Sequence, residues 1–103
     1  DSTPEKLHFR SSPRVGNFAC IAQDGYWIAA TEFKMPKASH GWDQYSDMDM
    51  HGIFYASGPD FKESYLGESK ENIHIFPLIL RILGLENQYT IDGNLEKIKE
   101  VLK

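Results

Sequence analysis

Residues 72–84 read NIHIFPLILRILG and carry the clearest periodicity in the chain. Apolar side chains recur there every three or four residues, the spacing of one face of an α-helix; they are Ile75, Leu78, Ile79, Ile82 and Leu83. Pro77 is tolerated only near the first turn of such a helix, and Gly84 suits the left-handed position that ends one. Phe76 and Leu80 lie off this face. The predicted helix is therefore apolar around most of its circumference, which is typical of a helix buried inside a larger structure.

The segments on either side predict further short elements. Residues 52–57 are nearly all apolar, as expected of a central strand that is covered on both faces, and Gly58-Pro59 ends them. Residues 18–22 and 26–30 are two apolar runs around a turn that contains Gly25, which predicts a β-hairpin. After Gly93-Asn94, apolar residues at helical spacing predict a short amphipathic second helix, with Leu95, Ile98, Val101 and Leu102 inside and Lys97, Lys99 and Glu100 outside.

These elements do not enclose a core by themselves. The strand 52–57 needs a neighbour on each side, and the hairpin does not supply both. We therefore interpret the chain as part of a larger α/β protein, α+β when taken alone. In isolation it should expose apolar area around 52–57 and on the outer side of the first helix (Phe76, Leu80), or cover that area by self-association through the bare sheet edge.

Composition excludes several function classes. The chain has 103 residues, one domain at most, and a formal charge of −4 with no block of Lys or Arg, which predicts no nucleic-acid binding surface. No apolar run approaches the length of about 18 residues that a membrane span needs. The lone Cys20 excludes an intrachain disulfide and a Cys-rich zinc site.

Among the four histidines, His40 has the most suggestive context. It lies in a long aperiodic stretch, 31–50, followed by Gly41 and Asp43, and functional residues concentrate in loops of this kind. Structural roles fit the other three better; these are His8, His51 and His74. Spacing alone leaves the role of His40 open, because no second His or Cys nearby completes the three or four ligands that zinc requires.

Three motifs in order resemble the C-terminal end of the nucleotide pyrophosphatase/phosphodiesterases, members of the alkaline phosphatase superfamily. They are SHGWD at 39–43, MHGIFYASGPDFK at 50–62, and a helix that opens with ENIHIFPL at 71–78 and closes with LGL at 83–85. The sequence IDGN at 91–94 also resembles the family's pattern near the end of the catalytic domain. The similarity is strongest over 38–94 and covers essentially the whole chain.

The resemblance implies one metal ligand in this segment. In the family the His of the HGxD motif binds one of two zinc ions, a role that passes to His40. Asp43 matches the motif's Asp, for which we expect a bracing role beside the ligand. Gln44 stands where the family usually has Asn. The segment would supply no catalytic or cofactor-binding residue besides the zinc ligand, since the Thr/Ser nucleophile and the other ligands lie upstream. The isolated chain should be inactive.

The resemblance also implies the architecture and chemistry of the parent protein. Residues 1–103 would form the C-terminal portion of its catalytic domain, with a hairpin region over 1–37 and the metal-ligand loop, buried strand and two helices over 38–103. The central sheet would be flanked by helices and completed by the upstream part of the same domain. The parent would hydrolyse phosphodiester or pyrophosphate bonds, with nucleotides as substrates, in the periplasm or outside the cell. Alternatives are another hydrolase of the superfamily, acting on phosphomonoesters or phosphonates, and a small non-enzymatic binding module.

Overall fold

A computed structural model of the chain describes residues 4–9, 13–32, 34 and 36–103. They divide into two compact units, Asp1–Phe54 and Tyr55–Lys103. The second unit contains the α-helix, α1, at Ile75–Leu83. Short 3-10 turns account for the remaining regular structure of the described residues; they are Glu5–Leu7, Met48–Met50, Asn72–His74, Leu95–Lys97 and Lys99–Val101.

Helix α1 forms where the periodicity predicts it. The 3-10 turn Asn72–His74 leads into it, and Pro77 lies in its first turn. Proline is tolerated there because the N–H groups of the first turn have no acceptor within the helix. At the other end Gly84 adopts the left-handed conformation, with φ of 65°. The N–H of Leu85 then donates to the carbonyl of Leu80 at 2.9 Å, which satisfies an end carbonyl in the manner of a Schellman motif.

The core of the second unit centres on two side chains. Leu78 of α1 is 2% exposed and Ile98 is 1% exposed, and α1 packs against the turn Leu95–Lys97. A backbone bridge closes this unit: Phe61 and Leu102 pair antiparallel, and the N–H of Lys62 donates to the carbonyl of Val101 at 3.0 Å.

The predicted second helix differs from the structure. Residues 95–101 form two successive 3-10 turns, because Ile98 between them takes φ of −136°, outside the helical region. The side chain of Asn94 caps the first turn by accepting from the N–H of Glu96 at 2.9 Å. The apolar face nevertheless points inward as predicted, since burial of Ile98 and the bridge at Leu102 determine the path of the backbone more than helix propensity does.

The predicted strands are also absent from the described residues. The turn between the two apolar runs forms, with Gly25 at φ of 80° and the N–H of Tyr26 donating to the carbonyl of Gln23 at 2.9 Å. The runs themselves do not pair, nor do residues 52–57. A two-stranded hairpin without a buried face is marginally stable, and a central strand without neighbours has no ladder to join.

Apolar residues around 52–57 are exposed as the sequence analysis expected, but α1 differs from the expectation: Ile79 and Leu83 of its predicted interior face are exposed, whereas Leu80 is only partly exposed. Ile53 is 95% exposed and Tyr55 is 86% exposed, while Phe76 on α1 is about half exposed. These side chains would be covered in a flanked sheet, so the α/β class of the parent stays a prediction. The part of the chain that the structure describes contains no helix of the length and apolarity needed to cross a membrane.

Candidate functional site

Asp43 organises the loop that carries His40. One carboxylate oxygen, Oδ1, accepts the backbone N–H of Tyr45 at 3.0 Å, which is an Asx turn. Its carbonyl accepts the N–H groups of Ser46 and Asp47, each at 3.0 Å. Gly41, with φ of 105°, takes the unusual backbone conformation between His40 and this turn. The Gly and the Asp of the HGxD motif are therefore the residues that shape the loop.

A distant lysine fastens the same loop. The Nζ of Lys6 lies 3.2 Å from Oδ2 of Asp43 and 4.4 Å from the centre of the Tyr45 ring. In return the Tyr45 hydroxyl donates to the carbonyl of Lys6 at 3.2 Å. We call this group, Lys6, Asp43 and Tyr45, the loop clamp. It joins the segment 4–9 to the loop through an ion pair, a cation–π contact and a hydrogen bond.

The loop clamp also favours the ionised form of its carboxylate. The backbone N–H of Tyr45, and next the ammonium of Lys6, hold the pKa of Asp43 below its ordinary value. Both partners favour the ionised form. The carboxylate is thus engaged in shaping the loop, which agrees with a bracing role for Asp43.

His40 lies at an open cleft in the first unit, with its side chain exposed. We call this the aromatic cleft; its walls include Ile21, Tyr26, Trp27, Ile28 and Trp42. The indole Nε1–H of Trp42 donates to the carbonyl of Tyr26 at 2.8 Å, and this bond joins the His40 loop to the end of the Gly25 turn. His40 therefore lies on a loop, as the aperiodic sequence around it predicts.

The structure gives hydrogen-bonded places to two other histidines. His51 Nε2 lies 3.0 Å from the carbonyl of Gln44. His74 is buried, and its Nδ1 accepts the N–H of Asn94 at 3.2 Å while Nε2 faces Glu71 at 3.6 Å. These contacts agree with structural roles for both, and His74 lies in the interior of the second unit.

The described residues do not form a metal centre by themselves. They contain no group of three or more His, Cys, Asp or Glu side chains arranged to hold a metal ion. An exposed imidazole on a braced loop fits the donor chemistry of zinc as a single ligand. The remaining ligands would have to come from elsewhere in a longer protein.

Sequence reasoning missed the loop clamp, the aromatic cleft and the contact between His74 and Asn94. Each joins residues far apart in the chain: Lys6 and Asp43 are separated by 37 positions and His74 and Asn94 by 20. The sequence offered a signal for only one close approach, namely the glycine at position 93. A Cβ there would collide with the carbonyl oxygen of Ile73 and lie 3.1 Å from Cδ of Pro77, so the IDGN segment can approach α1 closely only with glycine.

Comparison with curated proteins places these motifs in a family. Ectonucleotide pyrophosphatase/phosphodiesterase family member 7 of Homo sapiens is 32% identical over 103 residues, 99% of this chain and 22% of that protein. An ectonucleotide pyrophosphatase/phosphodiesterase of Caenorhabditis elegans is 30% identical over 102 residues, 96% of this chain and 12% of that protein. Over nearly its whole length the chain is thus similar to members of this family. A bis(5'-adenosyl)-triphosphatase of Xenopus laevis is likewise 28% identical over 103 residues, 99% of this chain and 22% of that protein.

The similarity to this nucleotide pyrophosphatase/phosphodiesterase family confirms the resemblance deduced from the motifs. The chain spans less than a quarter of the length of each of these three relatives. No protein-family model matches the chain. No solved structure matches it either.

Proposed function

We propose that this chain is the C-terminal portion of the catalytic domain of a two-zinc nucleotide pyrophosphatase/phosphodiesterase, and that His40 is one of the zinc ligands. The observation that carries the proposal is the family similarity over nearly the whole chain, which includes the HGxD motif. The exposed position of His40 on a braced loop supports it. The parent enzyme would have an α/β catalytic domain, and residues 52–57 would be a strand of its sheet.

His40 contributes coordination without charge. A neutral imidazole holds a zinc ion through one ring nitrogen and adds no negative charge to a site that receives an anionic phosphodiester. When bound, the two zinc ions would activate a Thr or Ser hydroxyl of the parent for attack on phosphorus and stabilise the charge on the phosphoryl and leaving oxygens.

Asp43 and Lys6 position the ligand and do not bind metal themselves. The Asp43 carboxylate already accepts from Tyr45 and pairs with Lys6, so its charge is largely neutralised within the loop clamp. By fixing the backbone of the loop, they would hold the position from which His40 binds zinc.

The substrate class follows from the relatives' names. One relative is a bis(5'-adenosyl)-triphosphatase and others are nucleotide pyrophosphatase/phosphodiesterases. We propose a nucleotide that carries a phosphodiester or pyrophosphate bond as the substrate of the parent enzyme.

The test is His40→Ala in the full-length parent. We expect loss of bound zinc, measured by metal analysis of the purified enzyme, and a fall in turnover of a chromogenic nucleotide phosphodiester by more than about 100-fold, since even partners that merely support a ligand are worth about 10- to 100-fold. His51→Gln is the matched control, because His51 is bonded to a backbone carbonyl within the same unit. Equal effects of the two substitutions would refute the assignment of His40.

The isolated chain provides a second test. With zinc present, the 103 residues should show no turnover of the same diester above background, because the proposed nucleophile and the other ligands lie outside them. Zinc-dependent hydrolysis by the pure chain would refute this proposal. A parent that hydrolyses phosphomonoesters or phosphonates, and not diesters, would instead be another hydrolase of the superfamily.

A further inference from the structure

Buried His74 joins the start of α1 to the IDGN segment at 91–94. The side chain is 7% exposed, and its Nδ1 accepts the backbone N–H of Asn94 at 3.2 Å. The two residues are 20 positions apart in the chain, and neither the proposed zinc ligand nor the loop clamp involves them. The bond therefore makes an attachment within the second unit that the proposed function does not explain.

This bond lies where the C-terminal turns meet α1. The Asn94 side chain accepts from the N–H of Glu96 at 2.9 Å and so caps the turn Leu95–Lys97, which packs against α1. Ile98 follows that turn at 1% exposure and belongs to the core of the second unit. A contact that holds Asn94 in place thus also holds the turn that leads to the core. We call the pair His74 and Asn94 the C-terminal latch.

The direction of the latch bond determines which ring nitrogen carries the proton. Because a backbone N–H can only donate, Nδ1 of His74 must be unprotonated, and in the neutral ring Nε2 carries the hydrogen. Nε2 faces Oε2 of Glu71 at 3.6 Å. A second proton can add only to Nδ1, where it would meet the N–H of Asn94. The latch bond and the charged imidazolium therefore exclude each other.

The charges around His74 do not reverse this conflict. The Glu71 carboxylate favours the charged ring, but it is 39% exposed, and an exposed ion pair contributes little in water. Burial of the ring disfavours its charged form. The other charged side chains on the elements packed around the ring are all exposed and screened by solvent; they are Arg81 of α1, Asp92 of the IDGN segment, and Glu96 and Lys97 of the capped turn. Loss of the latch bond is then the main consequence of protonation.

We propose that the C-terminal latch is a pH-sensitive contact: the neutral imidazole of His74 attaches the IDGN segment and the turn after it to α1, and protonation at Nδ1 breaks this attachment. Histidine is the side chain that ordinarily gains its charge between about pH 8 and about pH 5. The stability that the latch adds is therefore present above this range and is lost as the pH falls through it. The contact requires neither zinc nor catalysis, so it is independent of the proposed function.

The experiment is urea unfolding of the 103-residue chain at about pH 8 and about pH 5, compared with that of the variant His74→Asn. The amide oxygen of Asn can take the place of Nδ1 as acceptor but does not titrate. On acidification, the unfolding equilibrium constant of the unaltered chain should rise about 3- to 10-fold more than that of the variant, the range that loss of one hydrogen bond predicts. The comparison removes the contributions of other titrating groups, which both chains share.

Two further variants locate the effect. His51→Gln removes an exposed imidazole of the first unit and should leave the rise in the unfolding constant unchanged. Glu71→Gln removes the carboxylate that favours the charged ring, so the rise should become larger.

Nuclear magnetic resonance of the nitrogen-labelled chain keeps the inference testable if a variant does not fold. The ring shifts of His74 should show the proton on Nε2 at about pH 8, and the amide of Asn94 should shift together with the ring as the pH falls. Three outcomes would overturn the inference: a proton on Nδ1 at about pH 8, an equal rise for the unaltered chain and His74→Asn, or a smaller rise for the unaltered chain, which would make pairing with Glu71 the dominant effect.

Discussion

Replacing Leu78 by Ala tests which face of α1 is interior. Leu78 is 2% exposed, and Leu→Ala substitutions at buried positions cost about 2–5 kcal/mol of unfolding free energy. The next residue, Ile79, is 47% exposed. Full burial of an aliphatic side chain contributes about 1.5–3 kcal/mol, so its half-buried side chain should contribute about 1 kcal/mol. The two substitutions should therefore differ by at least about 1 kcal/mol.

Urea unfolding of the 103-residue chain, followed by circular dichroism, measures both free energies. Leu78→Met, which conserves volume, should cost less than about 1.5 kcal/mol and keeps the comparison measurable if the Ala variant does not fold. Equal costs for Leu78→Ala and Ile79→Ala would refute the packing described above. In the full-length parent, Ile79→Ala should instead cost about 2–5 kcal/mol, since a flanked sheet would bury this side chain. An unchanged cost there would contradict the α/β proposal.

Three further predictions concern the contacts that the sequence did not reveal. Gly93→Ala should destabilise the second unit by about 1–3 kcal/mol in the same urea assay, since its Cβ would collide with the backbone ahead of α1. His74→Phe should cost about 0.5–1.5 kcal/mol, because it removes the part-buried hydrogen bond from the N–H of Asn94. The pKa of Asp43 is lowered in the fold, so the stability that its carboxylate adds is present above the ordinary value of about 3.9 and is lost as pH falls through the lowered value. A pH series of unfolding midpoints should show this loss, and Lys6→Met should reduce it.

Each of these predictions has a matched control. Gly52→Ala places a Cβ where nothing lies within 4 Å, and His51→Phe changes an exposed imidazole. Lys97→Met removes an exposed lysine from the second unit, outside the loop clamp. A control that destabilises the chain as much as its partner variant would show that the effect does not come from the named contact. For the third prediction, an acid transition unaltered in Lys6→Met would mean that the clamp does not stabilise ionised Asp43.

The features that could be predicted from the sequence depend mostly on residues close together in the chain. The bounds of α1, its end at Gly84 and the Gly25 turn follow from side-chain spacing and backbone preference within a few residues. The family also follows from short motifs, because HGxD and the segments after it keep their order and spacing. For the same reason His40 could be singled out as the candidate ligand.

The strands at 18–30 and 52–57 could not be settled in this way. Apolar runs predict strands, but a strand exists only when another strand accepts its hydrogen bonds, and the described residues supply none. The prediction of a second helix was wrong for a related reason, since burial of Ile98 and the bridge between Phe61 and Leu102 impose a different backbone path.

The sequence alone therefore predicted the helix, its ends and the resemblance to the family, and it singled out His40 as the candidate zinc ligand. Only the tertiary structure decided that Lys6 and Tyr45 hold the His40 loop through Asp43, that His74 is interior, and that both tryptophans line one cleft. The physical reason is the separation along the chain over which each interaction acts. Spacing and backbone preferences act between near neighbours in the chain, whereas an ion pair or a hydrogen bond across 20 to 37 residues depends on where folding brings the chain back together.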